Sequence, residues 1–471
     1  MSEATKLLVI AYHFPPEGTV QVQRITKIVK YLPSFGIEPV VLTPAGQKID
    51  QYDEGLLKSI PASVRIERVP FFDITKHLFA VRDRMRAWKS SAGGLKSAEG
   101  SPGRDPVAQT FARTVVQSLL FPDVGRLWVR RAVKSALKLL ERDSFSAILS
   151  TSPPFSAHLI GSRLRRITGL PHIVDMRDLW RQNPYYQQAT TMHKRWAARL
   201  EQEVFSTADH VIAVTPYMAQ QLQSAYEFLG EAEVTTIYNG YDEEDFEGEV
   251  TRDPDTFNIR YLGSALLGSG RAIKPLLLGF REFLRLNPAA ADCARLTFYG
   301  FFDKPNQDFF ESFVAAEGLQ NLVKAPGRVA AAEAIRSTRS ADLLVLIVGH
   351  QLDSRARRLL DKVDTTSMTG KIFEYLASGN PILVLSREGL VAELVKSLSA
   401  GLCADSQDHK EIAEALNLSF KRWQTGELRQ PGNNERIREF SRRRQTAAVA
   451  SLIKALVADP RLAARRYNRL T

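Results

Sequence analysis

The chain has 471 residues, of which 44% are apolar and 24% charged, with a net charge of +11 and two cysteines. This composition excludes a disordered chain and a disulfide scaffold, and the length exceeds the roughly 250–300 residues at which a single hydrophobic core stops growing. Two domains are expected, and Cys293 and Cys403 lack metal-ligand spacing and fit a reducing cytoplasm.

The opening MSEATKLLVIAYHFPP carries an apolar run of only about seven residues, shorter than a secretory leader needs. No stretch approaches the ~20 apolar residues of a membrane span. KLLVIAY (6–12) reads as a buried strand, broken by Pro15, Pro16 and Gly18. The helix that starts near Thr19 aims its first N–H groups back at the strand end and carries Arg24.

PVVLTP (39–44), AILSTS (147–152), HIVDMR (172–177), HVIAVT (210–215) and TTIYN (235–239) read as further strands. Their continuous apolar character predicts parallel sheets covered on both faces. Helices are expected at 156–168, 193–207 and 216–229, and the Gly/Ser-rich stretch 90–106 is expected to be a mobile loop. DMRDLW places Asp175, Arg177, Asp178 and Trp180 at a strand end, as site residues or as a loop-fixing ion pair.

The acidic, polar stretch 240–255 reads as a linker. Domains are therefore expected at 1–245 and 246–435, with a basic helix over 436–471. In the second domain, IRYLG (259–263), RLTFYG (295–300), LLVLIV (343–348) and PILVLS (381–386) read as strands, and 270–287, 330–340 and 371–378 as helices. Strand–helix alternation in both halves gives an α/β class with two Rossmann-like domains facing each other across a cleft.

Two segments of the second domain suggest anion binding. After IRYLG comes a loop with Gly263, Ser264, Gly268 and Gly270, then a helix with Arg271 and Lys274. Small residues let backbone approach a diphosphate, and the two cations can neutralise it. GSALLGSG does not fit the dinucleotide fingerprint. In TGKIFEYLASGNPILVL, Gly370 opens a helix, Lys371 and Glu374 share one face, and Gly379 closes it. The helix start favours a phosphate, and Glu374 can accept from ribose hydroxyls. The same spacing also fits a surface ion pair. His13, His158, His172 and His350 are scattered, so no metal is expected.

YHFPPEG, FPDVGRLW, TSPP, DMRDLW, ADHVIAVTPYM, TIYNGYD, the glycine-rich loop and KIFEYLASGNPIL together resemble the family 4 glycosyltransferases, retaining enzymes of the GT-B fold. The likeness runs over nearly the whole chain and is strongest to bacterial surface-polysaccharide branches. It implies a catalytic group of Arg271, Lys274 and Glu374, with Arg271 and Lys274 on the donor diphosphate, Glu374 on the ribose and Lys371 on phosphate or sugar. It also implies that Gly18 and Thr19 lie near the donor and Asp175 and Asp178 face the acceptor, with neither metal nor cofactor. Glu393 is a further candidate carboxylate. The family's acid eight positions before Glu374, which contacts the sugar, is Thr366 here, and the His that many members carry in the loop after the strand is missing from Thr151-Ser152-Pro153-Pro154, so no general base is assigned.

The expected function is sugar transfer from a nucleotide diphosphate sugar to a lipid-linked or polysaccharide acceptor. The alternatives are a nucleotide-sugar epimerase of the same fold and a non-catalytic membrane partner. Residues 104–142 carry eight Lys/Arg against three acids, and 436–471 carry ten against two. These are solvated faces, or they are attracted to an anionic inner membrane surface. Trp88 and Trp128 make 76–142 the expected lipid-facing region of a cytoplasmic, peripheral protein. Nucleic acid is not expected, since the basic stretches lack interleaved aromatics.

Overall fold

The computed structural model describes residues 5–46, 49, 52–71, 118, 120–183, 190–265, 271–348, 368–386, 388–429, 434–459 and 461. The chain forms two compact units, Met1–Tyr238 with Gln445–Thr471, and Asn239–Arg444. The chain passes from the first unit to the second after Tyr238. The stretch 90–106 lies outside the described residues.

In the first unit, β1 (Thr5–Ala11), β2 (Ile37–Ala45), β3 (Arg65–Pro70), β4 (Ala147–Thr151), β5 (His172–Met176), β6 (His210–Ala213) and β7 (Val234–Thr236) form one parallel sheet in the order β3-β2-β1-β4-β5-β6-β7. Helices of eight or more residues are α1 (Val20–Tyr31), α2 (Arg126–Arg142), α3 (Ser156–Thr168), α4 (Thr191–Thr207) and α5 (Pro216–Ala225). Alternate residues of β1 feed two cores, because strand side chains point to opposite faces. Leu7 and Val9 pack with Ile25 and Val29 of α1, and Leu8 and Ile10 with Trp128 and Ala132 of α2.

The second unit has β8 (Phe257–Leu262), β9 (Ala294–Tyr299), β10 (Val323–Gly327), β11 (Leu343–Ile347), β12 (Ile382–Leu385) and β13 (Gly401–Ala404), parallel and ordered β10-β9-β8-β11-β12-β13. Its longer helices are α6 (Lys274–Leu286), α7 (Lys304–Ala316), α8 (Ala331–Arg339), α9 (Lys371–Ser378), α10 (Leu390–Ser397) and α11 (His409–Gln424). Phe257, Ile259 and Tyr261 pack with Phe280, Phe313 and Phe420 in its core. The last helix, α12 (Arg442–Ala458), places Val449, Ala450 and Ile453 in the core of the first unit. No helix among the described residues is long and apolar enough to cross a membrane.

Candidate functional site

In the second unit the strand order reverses between β8 and β11. Helices leaving neighbouring strands there diverge, so the carboxyl ends of the strands open a crevice that can take a ligand. Past β8 the chain stays tied to its neighbour: Gly263 N–H donates to Tyr299 O at 2.8 Å and Ala265 N–H to Phe301 O at 2.9 Å. Gly300 has φ +142°, and a Cβ on it would overlap the carbonyl oxygen of Gly263. Only glycine permits that approach.

Asn306 of α7 is 3% exposed. Its Nδ2 donates to Ala265 O at 3.2 Å and to Arg271 O at 3.4 Å, while its Oδ1 accepts from Ile273 N–H at 3.3 Å. One carboxamide thus holds both ends of the glycine-rich loop, whose Gly268 and Gly270 lie outside the described residues. Sequence reasoning missed Asn306, since it is distant in sequence from the loop it secures.

Helix α9 begins at Gly370 with no side-chain cap, and its first turn is closed by the N–H groups of Ile372 and Phe373, which donate to Thr369 O and Gly370 O, both at 3.3 Å. Ile372, Phe373, Tyr375 and Leu376 are buried, which turns Lys371 and Glu374 outward. Lys371 Nζ lies 2.9 Å from Glu374 Oε2, both about one-third exposed. The Tyr375 hydroxyl accepts from Leu262 N–H at 3.0 Å and so locks α9 to the end of β8.

Burial pushes the Tyr261 hydroxyl up to about 12 against the opposing charge of Arg271. Burial also raises Tyr375, with Tyr261 and Glu374 adding to the effect. Arg271 thus acts on Tyr261 of β8, and Glu374 on Tyr375, whose hydroxyl is bonded to the end of the same strand. Lys274 is exposed and its Nζ sits 5.7 Å from the Phe309 ring centre. Glu393 is exposed in the first turn of α10, which follows β12. His350 and Thr366 lie outside the described residues.

In the first unit, Gly18 and Thr19 follow β1 and are partly exposed. The Thr19 hydroxyl donates to Glu17 Oε1 at 2.8 Å, and Glu17 Oε2 lies 2.8 Å from His13 Nδ1. Asp175, expected on the acceptor side, lies inside the sheet. It is completely buried within β5, forked by Arg24 Nε at 3.1 Å and Nη2 at 2.9 Å, and accepts from Thr151 Oγ1 at 2.8 Å. An isolated carboxylate could not remain ionised at that depth, so a guanidinium was needed. Arg177 binds the carbonyls of Val20 and Gln21, which fixes the start of α1, while Asp178 is exposed.

Trp180 is buried and stacked on Phe155 at 4.6 Å. Trp128, expected to face lipid, is fully buried against Tyr12, because α2 turns that side to the sheet; Trp88 lies outside the described residues. Asp123 of FPDVGRLW accepts from the N–H groups of Gly125 and Ser156, both at 2.9 Å, so that motif braces the start of α3. Among the described residues, no three His, Cys, Asp or Glu side chains are placed to share a metal ion.

Residues 21–240 match the family described as "Glycosyl transferase 4-like domain". A comparison with curated proteins finds no match. The whole chain has the fold of solved two-domain GT-B proteins. Sucrose-phosphate synthase from Thermosynechococcus elongatus is similar with a TM-score of 0.59 at 14% identity, over 96% of this chain and 99% of that one. Anabaena HepE in complex with UDP-glucose gives 0.57 at 15%, over 96% and 100%. A UDP-GlcNAc 2-epimerase from Methanocaldococcus jannaschii gives 0.52 at 12%, over 96% and 100%. The matched stretch lies almost entirely within the first unit, and the crevice with Arg271 and Glu374 belongs to the second.

Proposed function

We propose that the protein is a retaining glycosyltransferase. It moves a sugar from a nucleotide diphosphate sugar to a lipid-linked or polysaccharide acceptor, in cell-surface glycan biosynthesis at the cytoplasmic side of a membrane. The observation that supports this reading is the tie between Tyr375 and Leu262, which fixes the helix bearing the Lys371–Glu374 pair to the end of β8, the strand whose Tyr261 feels the charge of Arg271.

In this reading Arg271 holds the diphosphate, with Lys274 joining once it leaves the Phe309 ring. Lys371 exchanges Glu374 for phosphate or sugar, which frees Glu374 to accept from the ribose hydroxyls. The acceptor oxygen attacks the anomeric carbon from the face that the diphosphate leaves. The departing phosphate oxygen takes the acceptor proton, so configuration is retained. Protein cations supply the charge that the leaving group requires, and the reaction calls on neither metal nor cofactor.

Similarity to an epimerase supports a second reading, nucleotide-sugar epimerisation, which yields product without an acceptor. A thermal-shift screen against nucleotide sugars tests the first step, since a ligand of the folded state raises the melting temperature by mass action. The matching donor stabilises wild type, and Arg271→Ala and Glu374→Ala lose the shift while remaining folded. An unchanged shift in both variants removes the site, and product formed without acceptor favours epimerisation.

A further inference from the structure

The first unit carries a groove of about 760 Å³ between α2, α3 and α4. Arg126 and Arg130 of α2, Arg163 of α3 and Arg199 of α4 line it, all exposed. Glu203, the acid on its wall, is already paired with Arg166 at 2.8 Å. Trp196, 43% exposed, and Leu127, 38% exposed, share the lining, over a floor that includes Val129 and Leu159. On α4, Met192, Trp196 and Arg199 recur at helical spacing, so the apolar and cationic groups form one outward stripe.

Four guanidinium groups around one groove repel each other unless an anion joins them. The chain's own residues 72–117 carry eight Lys/Arg against four Asp/Glu, and therefore do not complement it. The occupant must be anionic, and its apolar part must suit an exposed indole. Guanidinium forks match phosphate oxygens, and tryptophan prefers the boundary between polar and apolar phases. Nucleic acid would satisfy the charge but leave the apolar floor unused.

We propose that this groove docks the protein on an anionic phospholipid bilayer. Arg126, Arg130, Arg163 and Arg199 bind headgroup phosphates, and Trp196 and Leu127 enter the boundary between headgroups and acyl chains. The proposal deepens the reading of a membrane-side acceptor, but it is measured without donor or acceptor.

The test uses the full chain with vesicles of phosphatidylcholine alone or mixed equally with phosphatidylglycerol, at low salt. Wild type cosediments with the mixed vesicles only, and Arg130→Glu with Arg199→Glu lowers binding about tenfold or more. Brominated acyl chains quench tryptophan fluorescence in wild type, and Trp196→Phe loses that quenching. Equal binding to both vesicles, unimpaired binding by the charge-reversed variant, or quenching that survives Trp196→Phe would overturn the proposal. So would retention of an RNA oligomer in place of vesicles. A missing nucleotide-sugar shift with intact vesicle binding counts against the transfer reading alone.

Discussion

The hydroxyl of Tyr375 accepts the backbone N–H of Leu262 at 3.0 Å, tying the first turns of α9 to the last residue of β8. The contact sets the distance between a helix that carries Lys371 and Glu374 and a loop that begins at Gly263. Tyr375→Phe leaves the Leu262 N–H buried without that partner. A lone unsatisfied donor costs about 1–3 kcal/mol. Urea unfolding should report a loss of that size, and donor affinity by calorimetry should fall several-fold. Unchanged affinity alongside reduced stability would make the hydroxyl purely structural.

Asn306 acts on the other side of the same crevice. Asn306→Ala removes the group that bridges Ala265, Arg271 and Ile273, so the ends of the glycine-rich loop lose their common anchor. Donor affinity is expected to fall about tenfold, the equivalent of 1.4 kcal/mol, through the ordering that the ligand must then supply. Titration calorimetry with the donor identified by thermal shift measures it. Equal affinity in wild type and variant would show that the loop holds its shape unaided.

The contrast between Glu374 and Asp175 shows what the sequence could reveal. Helix α9 was legible to the residue, since Gly370, the Lys371–Glu374 pair and Gly379 all act locally. Central strands such as β1 and β11 announced themselves by continuous apolar runs, because both faces are covered. β3, β10 and β13 did not. They are edge strands, with mixed or short patterns that a half-covered position allows. Asp175 was read at a strand end, as a site residue or half of an ion pair, and its partner could not be named because Arg24 lies 151 positions earlier. Trp128 misled for a similar reason: a basic helix shows its charge in sequence but not which side faces the sheet.

The Arg24–Asp175 pair yields a stability prediction. Arg24→Leu strands a completely buried carboxylate and also removes the donor to Tyr238 O, 2.6 Å from Arg24 Nη1. Breaking one side of a buried pair typically costs about 3–5 kcal/mol, whereas removing both charges is far less harmful. The double variant Arg24→Leu with Asp175→Asn should therefore melt above the single Arg24→Leu variant. A double variant no more stable than the single one would mean that the guanidinium serves mainly to hold Tyr238.

Histidine burial sets the response to acid. The Ser150 hydroxyl lies 2.8 Å from His158 Nδ1 and 2.7 Å from His172 Nε2, in a fully buried cluster. Burial lowers His158 from the ordinary 6.5 to about 3, holds His172 well below 6.5, and lowers His210 to about 4. The folded state thus keeps these rings neutral while the unfolded chain protonates them below 6.5. Stability is complete above that pH and is lost as pH falls, by up to about 1.4 kcal/mol per pH unit for each ring. Burial also raises Asp123 and Asp342 above 3.8, which acts in the opposite sense at lower pH. The histidine effect is therefore read between about pH 7.5 and 5.5, where the urea midpoint should drop. His210→Gln, which retains a polar partner for Thr235, should remove about a third of that dependence. A midpoint that stays level over this range would show that the rings are protonated or hydrated within the fold.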